Sequence, residues 1–302
     1  MLASAGSVEK LSAADFVFEV KYDGFRALAG LTDGNVALQS RNGLDFSGRF
    51  PAIARAITKL DFRDAVFDGE IVVLDERGIS RFERLQQGLA DAQFCVFDLL
   101  WLNGEDLRGH SLDRRREILE RVARSFDLPL TLGERLADTA RFALSTARRQ
   151  GLEGVIAKRR AAPYVGRRSG DWIKEKFQRS QEVVIIGYTP ISSGEKAIGA
   201  LLLAVADGHV GFLFAGKVGT VFDTTQREEL WRALESERIE QPERVDSPPS
   251  EKEARWVPPR HVAQVGFLEW SRDGRLRHPV FRGLRVDKAP EECVREADDV
   301  SG

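Results

Sequence analysis

A first stretch mixing alternating strands with two amphipathic helices, then a stretch of short apolar runs broken by turns, predicts an α+β chain of two domains, residues 1–180 and 181–302. The 302 residues suffice for two units of ordinary size. A hydrophobic share of 42% beside 30% charged residues is the balance of a chain with packed cores and a solvated surface.

Residues 16–41 alternate apolar and polar positions, and "TDGN" at 32–35 supplies Asp33-Gly34 as a hairpin turn. "FPAIARAITKL" at 50–60 reads as a short helix, and "AVFDGEIVVLD" at 65–75 as a strand kinked at Gly69. "QFCVFDLLWL" at 93–102 is a buried strand. A helix over 111–126 starts at a Ser111 cap and sets Leu112, Ile118, Leu119, Val122 and Phe126 near one face. A second covers 134–150, with Gly151 as the glycine past its end. "EGVIAK" at 153–158 is the next strand, and the mixed α/β domain ends near residue 180.

Beyond Ser180 come "EVVIIGYT", "GALLLAVA", "HVGFLFAGKVG" and "HVAQVGFLEWS", the last closed by an Asp273-Gly274 turn. One helix at 224–237 interrupts them, and "QPERVDSPPSEKEARWVPPR" at 241–260 reads as a proline-rich loop. About five strands in this length predict a small β-barrel of the oligonucleotide-binding (OB-fold) type.

The longest apolar run, "AIGALLLAVA" at 197–206, is about half a membrane span, so no transmembrane helix and no membrane partner is expected. The N-terminus lacks a basic start and apolar stretch, and Cys95 and Cys293 make neither a disulfide framework nor a zinc cluster. A reducing cytoplasm fits best. The net charge of −2 excludes a uniformly basic coat, but Lys158–Arg179 carries eight basic and two acidic residues, and Arg272–Lys288 six and two. Both runs are interleaved with aromatics, a pattern that suits phosphate backbones.

"FEVKYDGFRA" at 18–27 sets Lys21 between an apolar strand and a turn. A lysine of ordinary pKa, about 10.4, leaves roughly 0.1% free amine at neutral pH, so a nucleophilic one needs desolvation or cations nearby. Lys174 and Lys176 in "WIKEKF" are candidates for that, and strand period two points both ammonium groups to one side, where an anion would join them. Arg26 offers a forked donor for phosphate or a ribose hydroxyl, and Gly24 lets the chain turn sharply. Taken alone, these residues are better read as a salt-bridged lysine at a hairpin. Glu70 in "FDGE" and Glu153 in "LEG" sit beside glycines where a carboxylate could hold a hard divalent cation; each alone is better read as a surface glutamate. Phe97 reads equally as core packing or as a ring for stacking on a base.

In order, "KYDGFR" (21–26), "SRNGLDFSGRFP" (40–51), "FDGE" (67–70), "FDLLWLNGEDL" (97–107), "EGVIAK" (153–158), "WIKEK" (172–176) and "RVDK" (285–288) resemble the motifs of the covalent nucleotidyltransferases, most closely the ATP-dependent DNA ligases. "FLEWSRDGRLRHPVFRGLRVDK" looks like the ligase module of bacterial ligase D or stand-alone ligase C of nonhomologous end joining. The resemblance implies an adenylation domain followed by an OB-fold. It implies that Lys21 forms a lysyl-AMP bond with ATP and that Glu19 and the backbone at Val20 meet adenine, with Phe97 stacking on it. Arg26, Arg41 and Glu70 would contact the ribose or its phosphate, and Arg168 and Lys174 the nucleotide phosphate, while Lys176 assists phosphoryl transfer. Glu70 and Glu153 would serve Mg2+ or Mn2+; Arg285 and Lys288 would orient the pyrophosphate. Implied partners are nicked or broken duplex DNA and end-joining proteins, with the chain a monomer associated with a bacterial nucleoid.

Val221 stands where the family pattern has glycine in a loop approaching DNA. The amino-terminal DNA-clamping domain of larger ligases and attached polymerase or nuclease modules are not found, so the chain is expected to hold a nick with two domains. A capping guanylyltransferase or RNA ligase shares the lysine and plan; "FDLLWLNGEDL" and "FLEWSRDGRLRHP" favour DNA ligase. A catalytically silent DNA-binding scaffold is disfavoured by intact Lys21, Glu70, Glu153 and Lys174.

Overall fold

The computed structural model describes residues 1–87, 91–177, 179–191, 197–209, 211–219, 224–246, 248–251 and 253–296, in two units, Met1–Phe177 and Gln178–Asp298. The first unit runs β1 (Leu2–Ala5), β2 (Phe16–Lys21), β3 (Phe25–Thr32), β4 (Asn35–Ser40), α1 (Pro51–Thr58), β5 (Asp64–Val72), α2 (Phe82–Gln87), β6 (Gln93–Leu102) and β7 (Glu105–Asp106). It continues with α3 (Leu112–Val122), β8 (Leu130–Leu132), β9 (Arg135–Ala137), α4 (Ala140–Gln150), β10 (Gly154–Arg159) and β11 (Arg168–Lys176).

Two sheets result, one in the order β1-β11-β10-β2-β9, the other β4-β3-β5-β6-β7 with β8 parallel to β6. Period-two alternation gives each sheet an apolar and a polar face. Phe16, Phe18 and Val20 of β2 and Val155 and Ala157 of β10 pack on Ala143, Leu144 and Ala147 of α4. Phe25, Ala27 and Leu31 of β3, Phe67 of β5 and Phe94 of β6 pack on Ile57 of α1 and Leu119 of α3. Each such fully buried Phe or Leu contributes about 1.5–3 kcal/mol, and the faces opposite these cores are left to polar residues.

The hairpin forms at Asp33 and Gly34, both at positive φ (46° and 78°), as a primed turn demands. Ser111 caps α3 by accepting from Arg114 N, and Gly151 ends α4 in the left-handed region at φ 76°. The ladder of β5 with β6 shifts register between Asp68 and Gly69, where the kink was expected. One expectation changes. The helix of 134–150 is shorter, because Arg135–Ala137 is extended and pairs with β2, and Thr139 then caps α4 by accepting from Phe142 N. Gly24 bends the chain as expected, without a positive φ, and is required by close approach, since a Cβ there would lie 2.1 Å from the Ile71 carbonyl oxygen.

The second unit runs β12 (Ser180–Pro190), β13 (Ile198–Ala206), β14 (Phe212–Gly219), α5 (Thr224–Ser236), β15 (Val245–Asp246), β16 (Arg255–Gly266), β17 (Glu269–Trp270), β18 (Leu276–Arg277) and β19 (Val280–Leu284). Its main sheet has the order β15-β14-β13-β12-β16-β19, over a core that includes Val183, Ile185, Leu201, Leu203 and, from α5, Leu230 and Leu234. This is an OB-fold-type unit, and among the described residues no ladder joins β19 back to β15 to close a barrel. The end of the expected proline-rich loop is strand: Ile185 pairs with His261 and Gly187 with Trp256, so Pro258 and Pro259 sit in a bulge opposite Ile186 that needs no N–H. Val221 lies outside the described residues.

Candidate active site

Across the first sheet Lys21 stands opposite Gly154 and Gly154 opposite Lys176; one step back, Glu19 faces Ile156 and Ile156 faces Lys174; next, Lys158 faces Trp172. Residues opposite one another share a face, so Glu19, Lys21, Lys158, Lys174 and Lys176 all lie on the side away from α4. At the centre of the Lys21 row a Cβ on Gly154 would lie 2.1 Å from the Glu175 carbonyl oxygen, so only glycine fits there. Four ammonium groups thus share one face, with the Glu19 carboxylate among them.

Lys21 Nζ donates to Glu153 Oε2 at 2.5 Å, and neither side chain is more than 16% exposed. Burial holds the Glu153 carboxyl above the usual carboxylate range, against the pull of Lys21 and Lys176. Glu153 therefore holds the Lys21 ammonium and is placed to accept its proton. Lys158 Nζ lies 2.6 Å from Glu19 Oε2 without the alignment of a hydrogen bond, and Arg116 Nη1 is 3.7 Å from Glu19 Oε1. Burial pulls the Lys158 ammonium below the usual lysine range, opposed by Glu19. Glu19 Oε1, Arg116 Nη1, Lys158 Nζ and Trp172 Nε1 are buried with no hydrogen-bond partner among the described residues. Lys158, Arg116 and Glu19 meet one another by charge without a hydrogen bond at these atoms, which leaves donors and an acceptor that a heterocycle could satisfy.

The polar face of the second sheet adjoins this one. Lys158 Nζ lies 4.3 Å from the Phe97 ring centroid and 4.2 Å from that of Trp172, whose rings meet edge to face at 5.9 Å. The Arg26 guanidinium lies 5.5 Å from Phe97 and 5.6 Å from Trp172. Arg26 is paired in register with Glu70 and makes a two-pronged bond to Asp68, Nε–Oδ1 2.9 Å and Nη2–Oδ2 2.6 Å. Burial raises the Asp68 carboxyl, but the charge and hydrogen bonds of Arg26, with the Tyr164 hydroxyl, hold it below the usual range. Asp98, directly across from Asp68, is gripped in the same way by Arg115, which is fully buried.

A cavity of about 460 Å³ opens on this face, lined by Arg26, Leu28, Arg41, Trp101, Arg108 and Tyr164 among others; Lys21 is not in its wall. Arg41 thus joins Arg26. Arg168 is exposed at the far end of β11 and donates to the Ala3 carbonyl, away from the Lys174 row. Val20 points into the α4 core, leaving its backbone to the site. In the second unit Arg285 is buried in a two-pronged bond to Asp287 with a third to Gln264, and Lys288 Nζ lies 3.5 Å from Glu182. The two basic runs are not uniform tracks. Lys158 and Arg285 are buried, Arg159 pairs with Asp171 and Arg277 with Glu269, while Arg167, Arg168 and Arg272 stay exposed. Among the described residues no three His, Cys, Asp or Glu side chains converge as a metal cage. Glu70 and Glu153 are hard oxygen donors of a kind suited to a cation that shares its ligands with phosphates.

The family model described as ATP dependent DNA ligase domain matches residues 1–176, and that of the ATP dependent DNA ligase C terminal region matches 194–288. The chain belongs to the ATP-dependent DNA ligase family. This ligase chain is 37% identical to the multifunctional non-homologous end joining protein LigD of Pseudomonas aeruginosa, over 97% of its own length and 36% of that protein's. It is 31% identical to DNA ligase C1 of Mycolicibacterium smegmatis, covering 97% of this chain and 91% of the other. It therefore spans just over a third of the LigD relative and most of the ligase C1. Among solved structures, mycobacterial DNA ligase D complexed with ATP and MES matches with a TM-score of 0.73 at 38% identity, over 98% of this chain and 97% of that one.

Asp68, Asp98, Arg115, Arg116, Lys158 and Tyr164 were not singled out by sequence. Their signal was present: an aspartate inside each of the apolar strands "VFDGEIVV" and "CVFDLL", and two arginines at positions 115–116, next to the apolar stripe of α3. What was missing was the pairing across elements that makes such residues tolerable in a core.

Proposed function

We propose that this chain is an ATP-dependent DNA ligase whose nucleophile is Lys21. The observation that carries the reading is the row Lys21–Gly154–Lys176 with Glu153 at 2.5 Å, on a face that also holds Glu19, Lys158 and Lys174. Lys21 Nζ, its proton taken up by Glu153 or solvent, attacks the α-phosphorus of ATP; a P–N bond forms, the bond to the bridging oxygen breaks, and pyrophosphate leaves. The 5′-phosphate at a DNA break then displaces Lys21 from the AMP. The 3′-hydroxyl finally attacks that 5′-phosphate, joining the strands and releasing AMP.

In this reading Glu19, the Val20 backbone and Phe97 bind adenine, while Arg26, Arg41 and Glu70 address the ribose or its phosphate. Lys174 and Arg168 would bind the nucleotide phosphate, Lys176 would counter charge at the reacting phosphorus, and Arg285 and Lys288 would orient pyrophosphate. Arg285 would do so from its bond to Asp287. Glu70 and Glu153 would hold Mg2+ or Mn2+, which supplies charge neutralisation on the phosphate oxygens. The likeness to LigD supports a role in end joining of nicked or broken duplex DNA, with the chain acting as a monomer in a bacterial cytoplasm, at the nucleoid, beside other end-joining proteins. Exposed Arg167 and Arg272 would meet DNA phosphates, so affinity for a nick should fall with a log–log salt slope of about 0.9 per phosphate contacted.

The test is incubation with α-labelled ATP or GTP and a divalent metal, a denaturing gel, then a chase with nicked duplex. A covalent label from ATP, lost in Lys21→Ala and discharged into sealed DNA, is the expected result. Label persisting in a natively folded Lys21→Ala protein, or label that never reaches DNA, overturns the reading.

A further inference from the structure

We propose that Tyr164, braced by Arg115, is a positioning residue that sets Arg26 for catalysis without itself touching substrate. The inference deepens the ligase reading and rests on it for its kinetic arm. Arg26 is aimed by a fully buried carboxylate, Asp68, at 0% exposure. A buried carboxylate has room for more than one donor, and the one that completes Asp68 comes from outside the sheet. The Tyr164 hydroxyl donates to Asp68 Oδ2 at 2.8 Å, the same oxygen that accepts Arg26 Nη2 at 2.6 Å. Though Tyr164 lines the cavity beside Arg26 and Arg41, its one ionisable group is turned to the carboxylate.

Tyr164 in turn is held by Arg115. That side chain is fully buried, donates to the carbonyl of Ala162 at 3.1 Å, and sets its guanidinium 5.8 Å from the Tyr164 ring centroid. The Tyr164 backbone N–H donates to the Arg108 carbonyl, and Asp113 N at the start of α3 to the Arg160 carbonyl, so the 160–164 segment is tied to α3 and to the loop before it. The other prongs of Arg115 close on Asp98, directly opposite Asp68 on the neighbouring strand. Two like charges facing one another inside a sheet repel unless each is neutralised separately. Arg115 cancels Asp98, which leaves Asp68 to Arg26 and the Tyr164 hydroxyl. The chain of influence runs from α3 through Tyr164 to Arg26, both by way of Asp68 and directly, since Arg26 Nη2 also donates to the Tyr164 hydroxyl at 3.5 Å.

The experiment is a double-mutant cycle of Tyr164→Phe and Arg26→Lys on the full chain, read by kcat/KM for ATP in lysyl-AMP formation. A second reading is the hydrogen exchange of the Arg26 Nε–H followed by NMR, its resonance assigned by its loss in Arg26→Lys. Removing one hydrogen bond to a buried charged group predicts a loss of about tenfold from Tyr164→Phe, in a protein that melts a few degrees lower and stays folded at the assay temperature. Because the hydroxyl acts through Arg26, the same change in the Arg26→Lys background should lose less than about twofold. The Arg26 Nε–H should also exchange about tenfold faster in Tyr164→Phe. Equal losses in both backgrounds would show Tyr164 meeting substrate by itself, and unchanged exchange of the Arg26 Nε–H would show that it does not hold Arg26; either overturns the proposal. A wild-type chain that takes no label from ATP would sink the ligase reading instead, and the exchange measurement would still decide the brace.

Discussion

Arg115→Met breaks the most deeply buried ion pair of the first unit, and its cost can be worked from the structure. The Arg115 side chain is 0% exposed and Asp98 1%, so neither charge has water to fall back on. Arg115 makes bonds of 2.8 and 2.9 Å to the two Asp98 oxygens, and further ones to the carbonyls of His110 at 2.7 Å and Ala162 at 3.1 Å. Removing one partner of such a pair leaves an uncompensated charge, at about 3–5 kcal/mol. For a unit of the size of Met1–Phe177, each kcal/mol moves the midpoint by about 2–4 °C, so that unit should melt on the order of 6–20 °C lower. Combining Arg115→Met with Asp98→Asn removes the stranded charge and keeps an acceptor for Leu99 N, which donates to Asp98 Oδ1 at 2.9 Å. That double variant should recover about 1–3 kcal/mol of the loss, the remainder being the two orphaned carbonyls at about 1 kcal/mol each. Calorimetry and urea unfolding of the wild type, both single variants and the double would decide it. A single variant within about 1 kcal/mol of wild type, or a double variant less stable than the single, would refute the argument that the buried charge dominates.

Gly24→Ala places a Cβ 2.1 Å from the Ile71 carbonyl oxygen and 2.9 Å from Val72 Cγ1, so we expect a loss of about 1–3 kcal/mol or more in unfolding free energy, and wild-type stability would disprove the close packing. Asp68 has a folded pKa below its ordinary 3.8, so its stabilising contribution is complete above that value and is lost as pH falls through the depressed one. The stability gap between wild type and Asp68→Asn should therefore shrink on acidification below about pH 4, and a gap that stays constant down to pH 2 would contradict the assignment. Burial pushes the Cys95 thiol up to about 11 and Cys293 to about 12, so neither should react with a thiol reagent at pH 8 until the chain is denatured. Rapid native labelling of either would show a thiol more open than this fold allows.

Local chemistry was legible in the chain. Asp33-Gly34 had to turn because only a primed hairpin accepts two positive φ values, Ser111 had to cap, and Gly151 had to end a helix. Period two alone put Lys174 and Lys176 on one side of a strand, and the order of seven motifs pointed to the family. Register belonged to the tertiary structure. Nothing near Lys21 in sequence says that Gly154 and Lys176 complete its row or that Glu153 closes on it, since these strands meet only after more than a hundred residues have folded between them. The buried charges were hidden for the same reason. An aspartate in an apolar strand or an arginine pair beside a helix stripe reads as a flaw until its partner is known, and Asp68 with Arg26, and Asp98 with Arg115, find theirs across separate elements. Sequence carried what depends on neighbours along the chain, and only packing decided which charges could be buried, because the cost of burying each is set by a group brought to it from elsewhere in the fold.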